Sequence, residues 1–243
     1  MAENSASAYP EGAPCWVDAQ LPDVEAGKRF YGELFGWTFE SAHGDSVWAR
    51  LDGEPVAALA RKTDGRLPTV WTVHFATPDA GALCRRIREA GGQVVTAPME
   101  VGELGVAALA ADPEGAVFGL WQPGGHSGFG PGRAEEEGGF AWVELYARDT
   151  AAANAFYGDL FHDALFGPGA EPRFGRAPVS DVFPAEMPPH FLVHFGVRDC
   201  AEALGRVRRL GGRVQADPFT TSYGTVAVVT DDQGASFALL ERP

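Results

Sequence analysis

Several things that often decide a protein's class are scarce in this chain. Only three of its 243 residues are cysteine. Cys15, Cys84 and Cys200 share no spacing, so they form neither a disulfide framework nor a zinc site and read as buried thiols. Basic residues are also few: 19 against 33 acidic ones, for a net charge of -14. A field of that sign repels phosphate backbones and anionic lipid, which excludes nucleic acid and a membrane surface as partners. No apolar run reaches spanning length. The first 14 residues have neither a basic start nor an apolar stretch and read as a loose tail rather than a signal peptide. Together these absences predict a cytoplasmic protein. With 45% hydrophobic and 11% aromatic residues, there is material for a packed core.

What the chain does have is repetition. Trp16-Val17-Asp18 followed by Phe30-Tyr31-Gly32-Glu33-Leu34-Phe35 returns as Trp142-Val143-Glu144 followed by Phe156-Tyr157-Gly158-Asp159-Leu160-Phe161. Val73-His74-Phe75 with Gly91-Gly92 returns as Val193-His194-Phe195 with Gly211-Gly212. The chain is therefore a tandem duplication: a tail over residues 1–13, one domain over 14–122, a linker over 123–138 and a second domain over 139–243. The linker is rich in glycine, but its GxG spacing neither follows a strand nor opens a helix, so it carries no phosphate-binding signature.

Within each copy the elements follow from period and punctuation. Residues 15–21 alternate as a strand, Pro22-Asp23 opens a helix, and Phe30, Tyr31, Leu34 and Phe35 share one helical face before Gly36 closes it. Three short strands follow, over residues 38–40, 47–51 and 55–60, with Asp52-Gly53 as a hairpin turn. The order βαβββ then begins again: a strand over 69–76, a helix over 79–90 and strands over 93–96, 104–111 and 116–122. The second copy repeats this over residues 139–183 and 189–242, with Asp149-Thr150 and Asp199 as helix caps.

Four βαβββ modules, Phe30-Tyr31-Gly32-Glu33-Leu34-Phe35-Gly36-Trp37 and the turn Asp112-Pro113-Glu114-Gly115 resemble the vicinal oxygen chelate superfamily. That superfamily includes glyoxalase I, bleomycin-resistance proteins and extradiol dioxygenases. The resemblance covers the chain from about Pro14 onward and is closest to the two-domain actinobacterial glyoxalase-like branch. It implies an α+β fold, a tandem duplication of a vicinal oxygen chelate domain, in which four modules form two curved cup-like sheets with helices outside and ligand inside. Metal-dependent members carry a His or Gln on each module's first strand and a Glu on its last. Here those positions fall at Trp16, Trp142, Thr72 and Leu192, and at Gly119 and Ala238. Residues 56–60 offer no carboxylate and Asp181 stands alone, so the resemblance implies that the metal site is lost: no metal and no cofactor is expected.

Strand alternation tests which residues face the cup. Val17, Ala19 and Leu21 share one face of the first strand, and Trp16, Asp18 and Gln20 the other; the second copy sets Val143, Leu145 and Ala147 against Trp142, Glu144 and Tyr146. In the later strands Val73 and Phe75 oppose His74, and Val193 and Phe195 oppose His194. Each copy thus presents an acid and an imidazole among aromatics, the mixture of a small-molecule pocket. Asp18, His74, Glu144 and His194 are the candidate catalytic residues. Trp16, Trp48, Trp121, Trp142 and Tyr146 are the candidate ligand-binding ones. With glyoxalase-type pairing of halves Asp18 meets His194 and Glu144 meets His74; with the extradiol arrangement Asp18 meets His74 and Glu144 meets His194.

A structural reading stands beside each of these. The acid and imidazole pairs also suit buried hydrogen-bonded struts, and the tryptophans suit core packing. Trp37 and the Phe-Tyr helix residues read as structural, and His43, His126, His162 and His190 as solvent-facing. The leading functional expectation is a metal-independent small-molecule-binding protein whose aromatic cups hold an apolar or aromatic metabolite, in secondary metabolism or resistance. The alternative is an enzyme using a His/carboxylate acid-base pair, of isomerase, lyase or hydroxylase type, ahead of a divalent-metal glyoxalase or dioxygenase. The partner is a small molecule, and the assembly a monomer with an internal pseudo-dimer or a homodimer.

Overall fold

A computed structural model describes residues 9–65, 68–130, 136–167, 170, 173–184 and 186–243. The start of the expected tail, residues 1–8, and residues 131–135 of the expected linker lie outside the described residues.

In chain order the elements are β1 (Pro14–Leu21), α1 (Val24–Phe35), β2 (Thr38–Ser41), β3 (Val47–Leu51), β4 (Glu54–Arg61), β5 (Trp71–Ala76), α2 (Ala80–Glu89), β6 (Gln93–Glu100), β7 (Gly105–Ala111) and β8 (Val117–Pro123). The second copy adds β9 (Phe140–Ala147), α3 (Thr150–Leu160), α4 (His162–Phe166), β10 (Phe174–Pro178), a 3-10 turn (Val179–Asp181), β11 (His190–Val197), α5 (Cys200–Arg209), β12 (Arg213–Thr221), β13 (Gly224–Thr230) and β14 (Ser236–Glu241). The chain is α+β, and the strands of the described residues fall in sheets of eight and six.

The four module helices start the same way. Asp23, Asp79, Asp149 and Asp199 each hold extended backbone while the side chain accepts a hydrogen bond from an N–H in the first turn. Such a cap contributes about 1 kcal/mol. Gly36 ends α1 in the left-handed region, at φ 73, where a Cβ is costly. Asp52 (φ 48) and Gly53 (φ 86) form the hairpin between β3 and β4, matching the expectation for that dipeptide.

The third module departs from the expected βαβββ. After α3 the described residues show α4 and a single strand, β10. Pro178, Pro184, Pro188 and Pro189 punctuate this stretch, and a residue without an N–H cannot continue a central ladder.

Packing divides the chain into two compact units that cut across the two copies. Unit 1 comprises the described residues of Met1–Trp16, Thr72–Gly128 and Val143–Phe191; unit 2 comprises those of Val17–Trp71, Phe129–Trp142 and Leu192–Pro243. Each takes one module from each copy. In unit 2 the strands run β2-β3-β4-β1 and β11-β14-β13-β12; in unit 1 they run β5-β8-β7-β6, with β9 beside β10.

The two cores are built on matched residues. In unit 2 the Phe195 ring meets Phe35, Trp37 and Trp71 at centroid distances of 5.2, 5.4 and 5.0 Å. In unit 1 the equivalent Phe75 meets Phe161, Phe174 and Phe191 at 5.1, 5.4 and 5.8 Å. Burying each such ring contributes roughly 2 kcal/mol or more. Tyr31 and Tyr157, buried in these cores, donate their hydroxyls to Asp231 (2.9 Å) and Asp112 (3.1 Å). Trp37 is structural, as expected, with its Nε1 donating to Gly138 O at 2.9 Å.

Candidate functional site

In unit 1 the alternation of β5 turns Val73 and Phe75 into the core and His74 to the opposite face, where it is buried. His74 lies level with Gly119 on β8. A Cβ at Gly119 would fall on the His74 ring, so only glycine leaves the imidazole its place. Two residues on, Trp121 shares that face and donates its Nε1 to His126 O at 2.8 Å. The His126 ring stands edge-on to Trp16, with centroids 4.4 Å apart, and to Trp121 at 5.8 Å.

His126 is therefore buried between two tryptophans, not solvent-facing as its glycine-rich flanks suggest. Gly124 N and His126 N both donate to Leu104 O, at 2.9 and 3.1 Å, folding the segment back onto the sheet.

Also in unit 1, β9 sets Val143 and Leu145 into the core and leaves Glu144 and Tyr146, both buried, on the other face. The Tyr146 ring stacks on His190 at 5.7 Å and meets Phe183 edge-on at 4.9 Å. Burial pushes the Tyr146 hydroxyl up, and the charges of Glu144 and Asp181 add to the shift. His190 is half-buried rather than solvent-facing. Its Nδ1 lies 2.9 Å from Pro188 O, and burial holds its pKa below the ordinary value. Glu144 is level with Gly175 on β10, beside Arg176; burial lowers the Arg176 pKa, and the Glu144 charge opposes that shift.

In unit 2, Asp18, Ala58 and Trp48 lie level across β1, β4 and β3. Asp18 and Trp48 thus share a face, with the Arg50 guanidinium 5.4 Å from the Trp48 centroid. Trp142 stacks on Tyr223 at 4.9 Å, and Tyr223 stands T-shaped to His194 at 6.3 Å. His194 is 0% exposed. Its Nδ1 lies 3.0 Å from Leu192 O, while its Nε2 has no hydrogen-bond partner among the described residues. Burial drives the pKa down to about 4, so the ring is neutral at pH 7. Alternation and spacing do not mark Tyr223. Its one signal is an aromatic residue just before the hairpin glycine Gly224.

His74 and Glu144 thus share unit 1, while Asp18 and His194 share unit 2. Alternation turns each acid and each imidazole away from its unit's core. These are the two groupings of acid and histidine that the glyoxalase-type arrangement names. A cavity of about 640 Å³ opens elsewhere in unit 2, lined by Phe35, Leu51, Glu137, Arg198, Arg206 and Arg242 among others. None of the expected site residues lines it, and its charges are largely paired: Glu137 lies 3.1 Å from Arg198 and 3.2 Å from Arg206.

Among the described residues no group of three or more His, Cys, Asp or Glu is placed to hold a metal ion. No helix of the described residues is long and apolar enough to cross a membrane.

Residues 16–120 match the model of the Glyoxalase/Bleomycin resistance protein/Dioxygenase superfamily. The chain is 35% identical to the anthracycline biosynthesis protein DnrV of Streptomyces peucetius, over 96% of this chain and 94% of that one. The chain belongs to this glyoxalase superfamily. It is also 34% identical to the putative glyoxylase CFP32 of Mycobacterium tuberculosis, over 97% of each chain. Among solved structures it shares the fold of the Mn(II)-bound glyoxalase from Novosphingobium aromaticivorans, with a TM-score of 0.63 at 16% identity over 96% of this chain and 84% of that one. A homoprotocatechuate 2,3-dioxygenase from Brevibacterium fuscum gives a TM-score of 0.65 at 13% identity, over 100% of this chain and 84% of that one.

Some superfamily members use a divalent metal, and the donors here do not fit one. The positions that the resemblance in the sequence matches to the family's ligands carry Trp16, Thr72 and Gly119, and Trp142, Leu192 and Ala238. At Gly119 the His74 ring fills the space from which a carboxylate side chain would project.

Proposed function

We propose that this glyoxalase-superfamily protein binds a planar aromatic metabolite without a metal ion, in secondary metabolism. The observation that carries the reading is the exchange at Gly119: where metal-dependent relatives have a ligand, this chain has a glycine whose side-chain space is taken by His74. Trp16 and Trp142 stand at the first-strand ligand positions, and stacking on such a ring contributes about 1 kcal/mol beyond area burial. The name of the Streptomyces relative, an anthracycline biosynthesis protein, favours a polycyclic aromatic ligand. Calorimetric titration of EDTA-treated protein with hydroxyanthraquinones is expected to give saturable binding, unchanged by added Mn, Ni or Zn ions. Binding that appears only with a stoichiometric metal, or no binding of any polycyclic aromatic, would falsify the proposal.

A second reading is favoured by His194. A neutral imidazole whose Nδ1–H is held by a carbonyl presents Nε2 as a proton acceptor, the arrangement of a general base. The acid-base enzyme reading then requires that His194→Ala abolish turnover of a bound aromatic metabolite while the melting temperature holds. Unchanged turnover would remove it.

A further inference from the structure

The Nε2 atom of His194 poses a physical problem. Leu192 O can only accept, so Nδ1, 3.0 Å away, must carry the proton. With the ring neutral, Nε2 is left as a lone-pair acceptor, and it has no partner among the described residues. A buried acceptor left unmet costs about 1–3 kcal/mol and calls for an explanation. Ala238, level with His194 on β14, adds only a methyl group to its surroundings.

The neighbour that bears on this is an aromatic alcohol. Tyr223 sits between the end of β12 at Thr221 and the start of β13 at Gly224, half-buried, with its ring stacked on Trp142 and T-shaped to His194. Gly224 has φ 145, and a Cβ there would strike Glu241 O. The hairpin backbone is thus held tightly against β14, which leaves side-chain rotation of Tyr223 as the easier route to opening. Trp142 is half-buried as well, so the stack reaches the surface, whereas His194 is fully buried.

We propose that this part of unit 2 is a binding site for a planar aromatic alcohol, whose ring takes the place of Tyr223 against Trp142 and whose hydroxyl donates to Nε2 of His194. The proposal rests on the aromatic-ligand reading above and narrows it to ligands of the phenol class. Tyr223 is the resident occupant, a phenol of the chain's own that covers the site until a ligand displaces it. An aryl ether of the same shape stacks equally well but has no proton for Nε2.

The test is a calorimetric comparison of 2-naphthol with 2-methoxynaphthalene, on the full chain treated with EDTA. The wild type is expected to prefer 2-naphthol about five- to tenfold, the usual range for one neutral hydrogen bond. His194→Phe is expected to erase that preference while still binding both. Tyr223→Ala is expected to tighten both and keep the preference. Should His194→Phe fail to fold, the wild type still decides: the ¹⁵N resonance of His194 Nε2 is expected to move with 2-naphthol and stay with the ether. Equal binding of the two probes, a preference that survives His194→Phe, or the same Nε2 shift with both overturns this proposal and leaves the aromatic-ligand reading standing. No binding of either probe overturns this proposal, and no binding of polycyclic aromatics in the earlier titration removes the broader reading.

Discussion

Units 1 and 2 meet the same packing problem with the same residues, and differ where their sheets turn away from the core. In each, a helix tyrosine donates to an aspartate from a turn of the other copy: Tyr31 to Asp231, Tyr157 to Asp112. In each, that aspartate also accepts two backbone N–H groups, from Gln233 and Ala235 or from Glu114 and Ala116. In each, an arginine of the other copy reaches a carbonyl near the helix end, Arg206 to Leu34 and Arg86 to Leu160. On the opposite faces the match ends. His74 lies against Gly119 near Trp121, whereas His194 lies against Ala238 beside Tyr223 and Trp142. What holds the fold together is duplicated, while what can meet a ligand has diverged.

The largest test of that comparison removes the shared aspartates. Asp231→Ala strips partners from three buried or half-buried donors, one of them a tyrosine hydroxyl that itself accepts from Trp71 Nε1 at 2.9 Å. The expected loss is about 4 kcal/mol, with about 3 kcal/mol for Asp112→Ala, where no indole among the described residues joins the network. Urea denaturation followed by circular dichroism measures both. A loss below about 1 kcal/mol in one variant alone would show that the two networks are not equivalent in energy.

A second test probes His194 by acid. The folded-state pKa of His194 lies at about 4 against an ordinary 6.5, because burial disfavours the charged ring. Between those values the unfolded chain binds the proton and the folded chain does not. The contribution is therefore fully present above pH 6.5 and is lost as pH falls from 6.5 towards 4. A shift of that size corresponds to about 3 kcal/mol. Wild type is expected to lose that much more stability than His194→Phe between pH 7 and pH 4, read as the difference of their urea midpoints at each pH. Parallel pH profiles for the two proteins would mean that His194 titrates normally and that its site is open to water.

Much of this was legible in the sequence because it depends on local rules. The four aspartate caps, the Asp52-Gly53 turn, Gly36 and the face of Tyr31 and Phe35 all follow from spacing alone. Membership of the units did not, because which helix packs beneath which strand is decided by contacts between residues far apart in the chain. Tyr31 and Tyr157 were read correctly as helix-packing residues. Their hydroxyl partners could not be, since Asp231 lies 200 positions from Tyr31 and no periodicity links them. His126 and His190 depart from expectation for one reason: glycine and proline flanks mark surface loops in general, yet here they let the chain fold back against aromatic rings. The single strand that the described residues show after α3 is likewise a matter of prolines, whose count is visible in the sequence but whose effect on the ladder depends on where the strand would pair.

The smallest expected effect probes Gly119 and Ala238, the two small residues that lie level with His74 and His194. At Gly119 an added methyl would fall on the His74 ring, so Gly119→Ala must turn the imidazole or move β8. Overpacking of this kind costs about 1–3 kcal/mol. Ala238 already carries its methyl beside His194, and Ala238→Gly removes only that methyl and adds chain entropy, for about 1 kcal/mol. The two changes are mirror images, and they are expected to differ in kind as well as size. Gly119→Ala shifts the fluorescence of Trp121, which shares its face, whereas Ala238→Gly leaves the emission unchanged. If Gly119→Ala proves neutral and spectroscopically silent, the His74 ring has room to move and does not bar a side chain from position 119.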